Sequence, residues 1–164
     1  MPIPGIKQPD FIQISDSLRL RKYDGFFDFA LAWYQDEETV YLVDGKKELY
    51  TMDKLKCMYE YLDKQGELYF IEVDTEEGFK PIGDVTFWQE DMPIVIGNKA
   101  YRGKNIGSDV ISALINRGRA LGYSRLYVNE IYDYNTASQH CFEKNGFYVI
   151  KKTGKGKRYM MELK

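Results

Sequence analysis

Apolar residues recur at helical spacing in three stretches of the chain. Phe26 to Tyr34 carries an aromatic face, Asp53 to Leu62 carries an apolar one, and Val110 to Leu121 forms a third that stops just before Gly122. Residues three and four positions apart lie on one side of an α-helix, so each stretch predicts a helix that packs on a core. A glycine after the last apolar position is typical of a helix end. For the aromatic face, core packing is preferred to contact with a substrate.

Shorter apolar runs predict the strands of a sheet. They are Leu18 to Tyr23, Glu67 to Asp74, Pro81 to Trp88, Ile94 to Ile96, Arg125 to Ile131, Tyr148 to Lys152 and Arg158 to Leu163. Residues 1 to 17 are predicted to be a loosely held lead-in, and residues 35 to 52 to be loops around a short apolar element. The helix before Arg125 predicts a right-handed crossover to a parallel strand. The expected fold class is α+β, with a mixed, mostly antiparallel sheet flanked by helices.

The length of 164 residues predicts one domain with its own core. No apolar run reaches the ~18 residues of a membrane span and no basic-then-apolar leader is present, so neither a membrane partner nor export is predicted. Two cysteines suit a reduced, cytoplasmic protein. No metal site is predicted.

The charges are unevenly distributed along the chain. Residues 1 to 97 carry 20 Asp or Glu against 10 Lys or Arg, and residues 98 to 164 carry 5 against 13, which together make the 25 acidic and 23 basic residues of the chain. A basic C-terminal half suits a polyanionic cofactor, and an acidic N-terminal half suits an amine. Nucleic acid is a poor fit because the basic residues lie beside one loop rather than along a stripe with stacking aromatics.

That loop precedes the third helix, which opens near Ile106 to Ser108. Gly103 and Gly107 lack a Cβ, so a ligand can approach the backbone N–H groups closely. Those groups, with the free donors and positive dipole end of the helix, suit phosphate oxygens, and Arg102 and Lys104 add positive charge. The spacing matches neither a P-loop nor the dinucleotide fingerprint.

Two motifs carry a resemblance to a known family. Arg102-x-x-Asn105-x-Gly107 resembles the acyl-coenzyme A loop of the GNAT N-acetyltransferases, Gln/Arg-x-x-Gly-x-Gly/Ala, with Asn105 in place of the middle glycine. Asn tolerates a left-handed backbone, so the turn is expected to survive. Residues 135 to 147 resemble the family's last motif, in which an Asn cap and a short helix precede Gly-Phe. The resemblance covers most of the chain and is weakest before residue 80.

The resemblance implies a GNAT fold with a splayed central strand pair and acetyl-CoA as co-substrate. It implies the following cofactor-binding residues: Ile94, Val95, Ile96, Arg102, Gly103, Lys104, Asn105, Ile106, Gly107, Ser108 and Asn135. In such a site, backbone N–H groups of the strand before the loop polarise the thioester carbonyl. The early helices would form one wall of the acceptor site, with Trp33 and Tyr34 as candidates, although a homodimer surface explains them equally well.

The resemblance does not decide which residues act as the catalytic base and acid. Glu90 and Asp91 are both candidates for the base that takes the amine proton, and a surface acidic pair is an equal alternative. Phe142 occupies the position where members of the family often have a tyrosine that acts as the general acid, and its side chain has no proton to donate. Tyr132, Tyr134, a water molecule or the basicity of the thiol itself would have to replace it, or the protein is a weak catalyst.

Three functions fit these motifs. The first is acetyl transfer to a small cationic amine or an aminoglycoside, because Trp33-Tyr34-Gln35 and the segment from Tyr50 resemble the early region of aminoglycoside 6'-N-acetyltransferases. The second is acetylation of protein N-termini, as in the ribosomal-protein branch, favoured by Leu18 to Arg21 and Ser138. The third is a non-catalytic coenzyme A-binding module, favoured by Asn105 and Phe142.

Overall fold

The computed structural model describes residues 1–163, which form two antiparallel sheets. The first sheet contains, in sequence order, β1 (Phe11–Ser15), β2 (Leu18–Lys22), β3 (Glu67–Thr75), β4 (Gly78–Phe87) and β5 (Ile94–Ile96). The second contains β6 (Arg125–Tyr132), β7 (Tyr148–Lys152) and β8 (Gly156–Glu162), with β8 in the middle. The helices are α1 (Glu37–Asp44), α2 (Met52–Gln65), α3 (Ile106–Ala120) and α4 (Thr136–Lys144), with 3-10 segments at Asp28–Gln35 and Lys99–Tyr101.

Most predicted elements are present, and the errors lie in the N-terminal third. The prediction that residues 1 to 17 are loosely held is wrong. β1 pairs with β2, and the buried Gln8 donates a hydrogen bond from Nε2 to the carbonyl of Leu68. The loops predicted for residues 35 to 52 include α1, which begins at an Asp36 cap whose carboxylate accepts from the N–H of Thr39. The aromatic helix is a 3-10 segment, and it packs on the core as predicted.

The first sheet is covered on both faces. Ile71 of β3 points into a core shared with α3 and the second sheet, whereas its neighbour Phe70 points into a second core formed with the 3-10 segment, α1 and α2. Successive residues of a strand face opposite sides, so β3 and β4 divide the two cores. No helix within residues 1–163 combines the length and the apolar composition needed to cross a membrane.

The two sheets meet at β5 and β6, which share no ladder within the described residues although α3 connects them. β6 bonds instead to the turn before β5: the N–H of Tyr127 donates to the carbonyl of Gln89 at 2.9 Å, and the N–H of Asn129 donates to the side chain of Asp91 at 3.0 Å. Past Asn129, no backbone hydrogen bond among residues 1–163 joins the two strands. They separate there, as expected of a splayed pair.

A buried ion pair fastens α3 to β3. Glu67 is fully buried and accepts two hydrogen bonds from Arg117 of α3, one of them at Oε2 from Nη2 at 2.6 Å. It accepts a third from the Tyr69 hydroxyl. The guanidinium and carboxylate form a bidentate pair, which constrains direction as well as distance. The pair therefore helps to set the position of the helix that follows the loop.

Replacing Glu67 with Gln should lower the free energy of unfolding by about 3 kcal/mol, because Arg117 would stay largely buried without its partner. Urea denaturation measures this loss. Glu77→Gln is the matched control: Glu77 contacts Lys80 at 3.7 Å on the exposed surface, and its loss should cost less than about 0.5 kcal/mol. Equal losses in the two variants would show that the buried pair does not hold α3.

Candidate functional site

The loop before α3 presents free backbone donors. Gly103 has a φ of 73° and Asn105 has a φ of 67° and a ψ of 8°, so Asn105 takes the left-handed conformation expected of it. It is the sole non-glycine residue with a positive φ in residues 1–163. Within the same range, the N–H groups of Asn105, Ile106 and Gly107 donate to no protein acceptor. Together with the positive end of α3, these donors have the chemistry that suits an anion.

Lysines supply the charge at this site. Lys144, the last residue of α4, donates from Nζ to Oδ1 of Asn105 at 2.7 Å, and Lys104 is an exposed residue of the loop itself. Sequence reasoning did not assign Lys144 to this site. Its place within the last motif, residues 135 to 147, was the available signal, but the contact with Asn105 depends on how α4 packs.

Arg102, predicted to bind phosphate, is engaged elsewhere. Its Nε donates to the carbonyl of Ile96 at 2.8 Å, Nη1 to Glu38 at 3.0 Å, and Nη2 to the hydroxyl of Thr39 at 2.9 Å. Lys99 adds a 2.9 Å contact to Asp36 at the start of the same helix. The side chain of Arg102 therefore joins β5 to α1, and the loop's own donors and the lysines are left to face the anion.

Ser108 and Asn135, two further predicted cofactor residues, have structural partners. Oδ1 of Asn135 accepts from the N–H of Ser138 at 3.2 Å, which makes it the cap of α4, as predicted. Ser108 is buried, and its hydroxyl accepts from Nδ2 of Asn145 at 3.0 Å. Asn145 also donates to the carbonyl of Cys141 at 2.8 Å, so it ties the end of α4 to the first turn of α3.

The outer edge of β5 faces the gap. The N–H of Thr86 donates to the carbonyl of Pro93 at 3.0 Å, and two residues further along the ladder Val95 lies opposite Asp84. Alternation along an antiparallel ladder then directs the N–H of Val95 toward β4 and those of Ile94 and Ile96 toward the gap. The carbonyl of Ile96 agrees with this, because it accepts from Arg102 and not from β4. Of the three predicted backbone positions, Ile94 and Ile96 offer donors to the gap.

The two candidate bases differ in their surroundings. Oδ1 of Asp91 accepts from the N–H groups of Met92 at 2.9 Å and Asn129 at 3.0 Å, at the point where β5 and β6 separate. Burial raises the pKa of Asp91 above its usual value, and these two hydrogen bonds and the charge of Arg158 oppose the rise. Glu90 is exposed and contacts Arg158 at 3.1 Å.

Tyrosines from both halves of the chain meet beside the gap. The rings of Tyr41 in α1 and Tyr134 are stacked with centroids 4.4 Å apart, and Tyr132 stacks on Tyr134 at 5.3 Å. The hydroxyl of Tyr134 donates to the carbonyl of Tyr41 at 2.8 Å, and burial raises the pKa of Tyr134 to about 12. Tyr132 makes no side-chain hydrogen bond within residues 1–163, so of the two predicted substitutes for the acid only its hydroxyl is free.

Phe142 does not reach this surface. It is buried in the core shared with α3 and meets the ring of Phe147 edge-on, with centroids 5.2 Å apart. Its side chain therefore contributes to packing.

Sequence reasoning missed the carboxylate of Asp84, which is 2% exposed in β4. Oδ2 accepts hydrogen bonds from the hydroxyls of Tyr34 at 2.6 Å and Tyr59 at 2.8 Å. Burial raises the pKa of Asp84 to about 6, and the two hydroxyls lower it in part. The signal was an Asp between apolar residues of a predicted strand, where a charge is unexpected. No cluster of His, Cys, Asp and Glu within residues 1–163 could hold a metal ion.

The model of the acetyltransferase (GNAT) family matches residues 27–147, about three quarters of the chain. The chain belongs to the GNAT family. Both motifs found in the sequence lie within the matched range, and the predicted family and fold class are confirmed. No curated protein matches this GNAT chain in sequence.

Solved structures share the GNAT fold. An acetyltransferase of the family from Bacillus anthracis has a TM-score of 0.75 at 16% identity, over 93% of this chain and 98% of its own. AAC(6')-Ib, in complex with paromomycin and acetyl-CoA, has a TM-score of 0.72 at 16% identity, over 90% and 94% of the two chains. RimL, a ribosomal L7/L12 alpha-N-protein acetyltransferase in complex with coenzyme A, has a TM-score of 0.74 at 14% identity, over 93% and 98%. At these identities the likeness shows the fold alone.

Replacing Lys144 with Gln should weaken coenzyme A binding by roughly tenfold, because a cation beside the free donors of the loop is lost. Isothermal titration calorimetry at low and high salt measures this, and the effect should shrink as salt screens the charge. Arg102→Gln is the comparison: it should leave coenzyme A affinity within about threefold and lower the thermal midpoint, because Ile96 and Thr39 lose their donor. A larger loss of affinity in the Arg102 variant would restore the phosphate role to that side chain.

Proposed function

We propose that this GNAT protein transfers an acetyl group from acetyl-CoA to a primary amine of a small cationic acceptor, such as an aminoglycoside. The observation that carries the proposal is the position of the free N–H groups of residues 105–107 at the start of α3, directly after the strand whose edge faces the gap. One ligand that carries phosphates at one end and a carbonyl at the other would meet donors at both places.

The loop would hold the phosphate end of the co-substrate. The N–H groups of Asn105, Ile106 and Gly107 donate to its oxygens, and Lys104 and Lys144 lie close enough to neutralise part of the charge. Acetyl-CoA supplies the activated acyl group as a thioester. The N–H groups of Ile94 and Ile96 would orient the carbonyl oxygen and stabilise the negative charge that develops on it.

Asp91 suits the role of base better than Glu90. An alkyl amine has a pKa near ~10 and is mostly protonated at neutral pH, so a group must accept its proton. Asp91 lies where the strands separate, its Oδ2 makes no hydrogen bond within residues 1–163, and burial raises its pKa. Glu90 is paired with Arg158 on the surface.

Tyr132 is the proposed donor to the departing thiolate. Its hydroxyl is free within the described residues, whereas that of Tyr134 is bonded to Tyr41. A thiol has a pKa near ~8.5, so its thiolate needs only weak assistance, and the absence of a tyrosine at Phe142 is compatible with turnover.

The acceptor would enter from the side of α1. Aromatic rings and carboxylates together suit a cation, since the faces of the rings attract positive charge and the carboxylates pair with it. Tyr41 and Tyr134 form such a wall, and Asp44 at the end of α1 accepts from the hydroxyl of Tyr50 at 2.7 Å. The aminoglycoside complex of AAC(6')-Ib, which has the same fold, supports an acceptor of this class.

Replacing Asp91 with Asn should lower kcat by about a hundredfold or more and remove the fall in rate at acid pH, because the amide still accepts from Met92 and Asn129 but no longer takes a proton. The wild-type rate should rise with pH through the raised pKa of Asp91, since only the ionised carboxylate is a base. Stopped assays of thiol release over a pH series measure both effects. Glu90→Gln is the matched control and should keep kcat within about twofold. A reversed order would assign the base to Glu90.

The general test is calorimetric binding of acetyl-CoA, followed by thiol release with aminoglycosides, polyamines, amino acids and short peptides. We expect binding and turnover with one or more small amines. Turnover with N-terminal peptides alone would support a protein N-terminal acetyltransferase. Binding without turnover on any acceptor would support a non-catalytic coenzyme A-binding module.

A further inference from the structure

Asp84 is a buried carboxylate with one free oxygen. Both hydroxyls that contact it, from Tyr34 and Tyr59, donate to Oδ2, and no protein group donates to Oδ1 within residues 1–163. In that range the fully buried side-chain N and O atoms without a partner are Thr86 Oγ1 and Arg158 Nε. Oδ1 of Asp84 is not among them, so the 2% of the residue that remains exposed includes this oxygen. The free oxygen is therefore not completely enclosed by protein.

No cation in the described chain compensates this carboxylate. The other buried acids have arginine partners: Glu67 contacts Arg117, and Glu72 contacts both Arg19 and Arg21 at 2.8 Å. The titratable groups that act on Asp84 are the hydroxyls of Tyr34 from the 3-10 segment and Tyr59 from α2, with Tyr50 nearby, and no Lys, Arg or His is among them. A buried charge without a partner destabilises a fold, and such groups are concentrated at functional sites.

The position of Asp84 excludes direct contact with the reacting amine. Asp84 lies opposite Val95, one strand spacing of about 4.8 Å behind β5. The thioester would lie beyond the other edge of β5, so the nitrogen that attacks it lies more than one strand away. Oδ1 of Asp84 is therefore placed for a different part of the same acceptor.

A series of side chains connects Asp84 of β4 with the end of α1. Burial raises the pKa of Tyr50, and the hydrogen bond to Asp44 and the charges of Asp44 and Asp84 add to the rise. The Tyr50 hydroxyl donates to Asp44 at 2.7 Å. The ring of Tyr34 lies 5.0 Å from that of Tyr50 and 6.4 Å from that of Tyr59. Two carboxylates and three aromatic rings thus lie in sequence from the covered face of β4 to the end of α1, a composition that suits an organic cation.

We propose that Asp84 is a specificity-determining residue whose Oδ1 binds a second ammonium group of the acceptor, so that the protein prefers amines with two or more cationic groups. The inference rests on the proposed acetyl transfer and names the class of acceptor more narrowly. The ammonium supplies the charge that the protein itself does not provide. Binding at Asp84 holds the acceptor by one end while its other amine reaches the gap beside β5.

The test compares acceptors that carry one cationic group with acceptors that carry two or more. 1,4-Diaminobutane, 1,5-diaminopentane and kanamycin serve as multiply charged probes, and 1-aminobutane and 1-aminopentane as singly charged ones. The wild type should show at least about tenfold higher kcat/KM for the multiply charged probes, and Asp84→Asn should remove this preference through KM, with kcat and the affinity for coenzyme A within about threefold. Asp74→Asn, an exposed carboxylate in β3, is the matched control and should keep the preference.

Tyr34→Phe separates specificity from folding, because it leaves the carboxylate in place. The preference of the wild type should disappear as the pH falls through about 6, where Asp84 becomes protonated. The hydrogen bond from Tyr34 lowers the pKa of Asp84, so in the Phe variant the preference should disappear at a higher pH. This pH shift remains measurable even if Asp84→Asn does not fold, and an unchanged midpoint would overturn the inference.

The other outcomes distinguish the two proposals. Transfer to singly and multiply charged amines with equal kcat/KM, a preference that survives Asp84→Asn, or an equal loss in Asp74→Asn would overturn the inference and leave the acetyl transfer intact. Absence of transfer from the wild type to every probe, with acetyl-CoA still bound, would overturn the proposed function and the inference together.

Discussion

Backbone N–H groups without acceptors are costly inside a protein, and this fold leaves two sets of them close together. One set lies along the edge of β5 that faces the gap, and the other lies at residues 105–107 before α3. The short connection from β5 to α3 brings both sets to one end of the first sheet. Most of the remaining structure either keeps this region open or fixes the elements around it.

Side-chain contacts fix the elements on both sides of the gap between β5 and β6. The carboxylate of Asp91 accepts from the N–H of Asn129, next to the bond from Tyr127 to Gln89, and the strands separate beyond these two bonds. The amide of Asn145 fastens α4 to α3, and Lys144 at the end of α4 then reaches Asn105. Arg102 ties the carbonyl of Ile96 to Thr39 of α1, which connects the end of β5 to that helix.

Two departures from the family pattern have simple physical accounts. Asn105 stands where the pattern has a glycine, and it adopts the left-handed backbone that glycine provides while its side chain binds Lys144 and Asp109. Phe142 stands where the pattern has a tyrosine, and its ring fills the core beside Phe147. The first departure keeps the shape of the loop and adds a contact. The second removes a hydroxyl at a position where the side chain is now fully occupied by packing.

The sequence by itself determined the elements whose signals are local. The helical spacing of α3, the Asn135 cap of α4 and the glycine-rich loop all depend on residues a few positions apart, and all were predicted. β1 was missed because a strand that starts among prolines is stabilised by its neighbour β2, which is a longer-range effect.

The tertiary structure alone decided which side chains meet at the site. Arg102 and Lys144 carry the same charge, and only the packing of α1 and α4 shows that Arg102 binds Glu38 of α1 while Lys144 reaches Asn105 of the loop. The environment of Asp84 is set by tyrosines 25 and 50 residues away in sequence, which bury the carboxylate and leave one of its oxygens without a hydrogen bond. Local patterns determine backbone conformation because they act over one or two turns, whereas charge balance and burial depend on the whole three-dimensional arrangement.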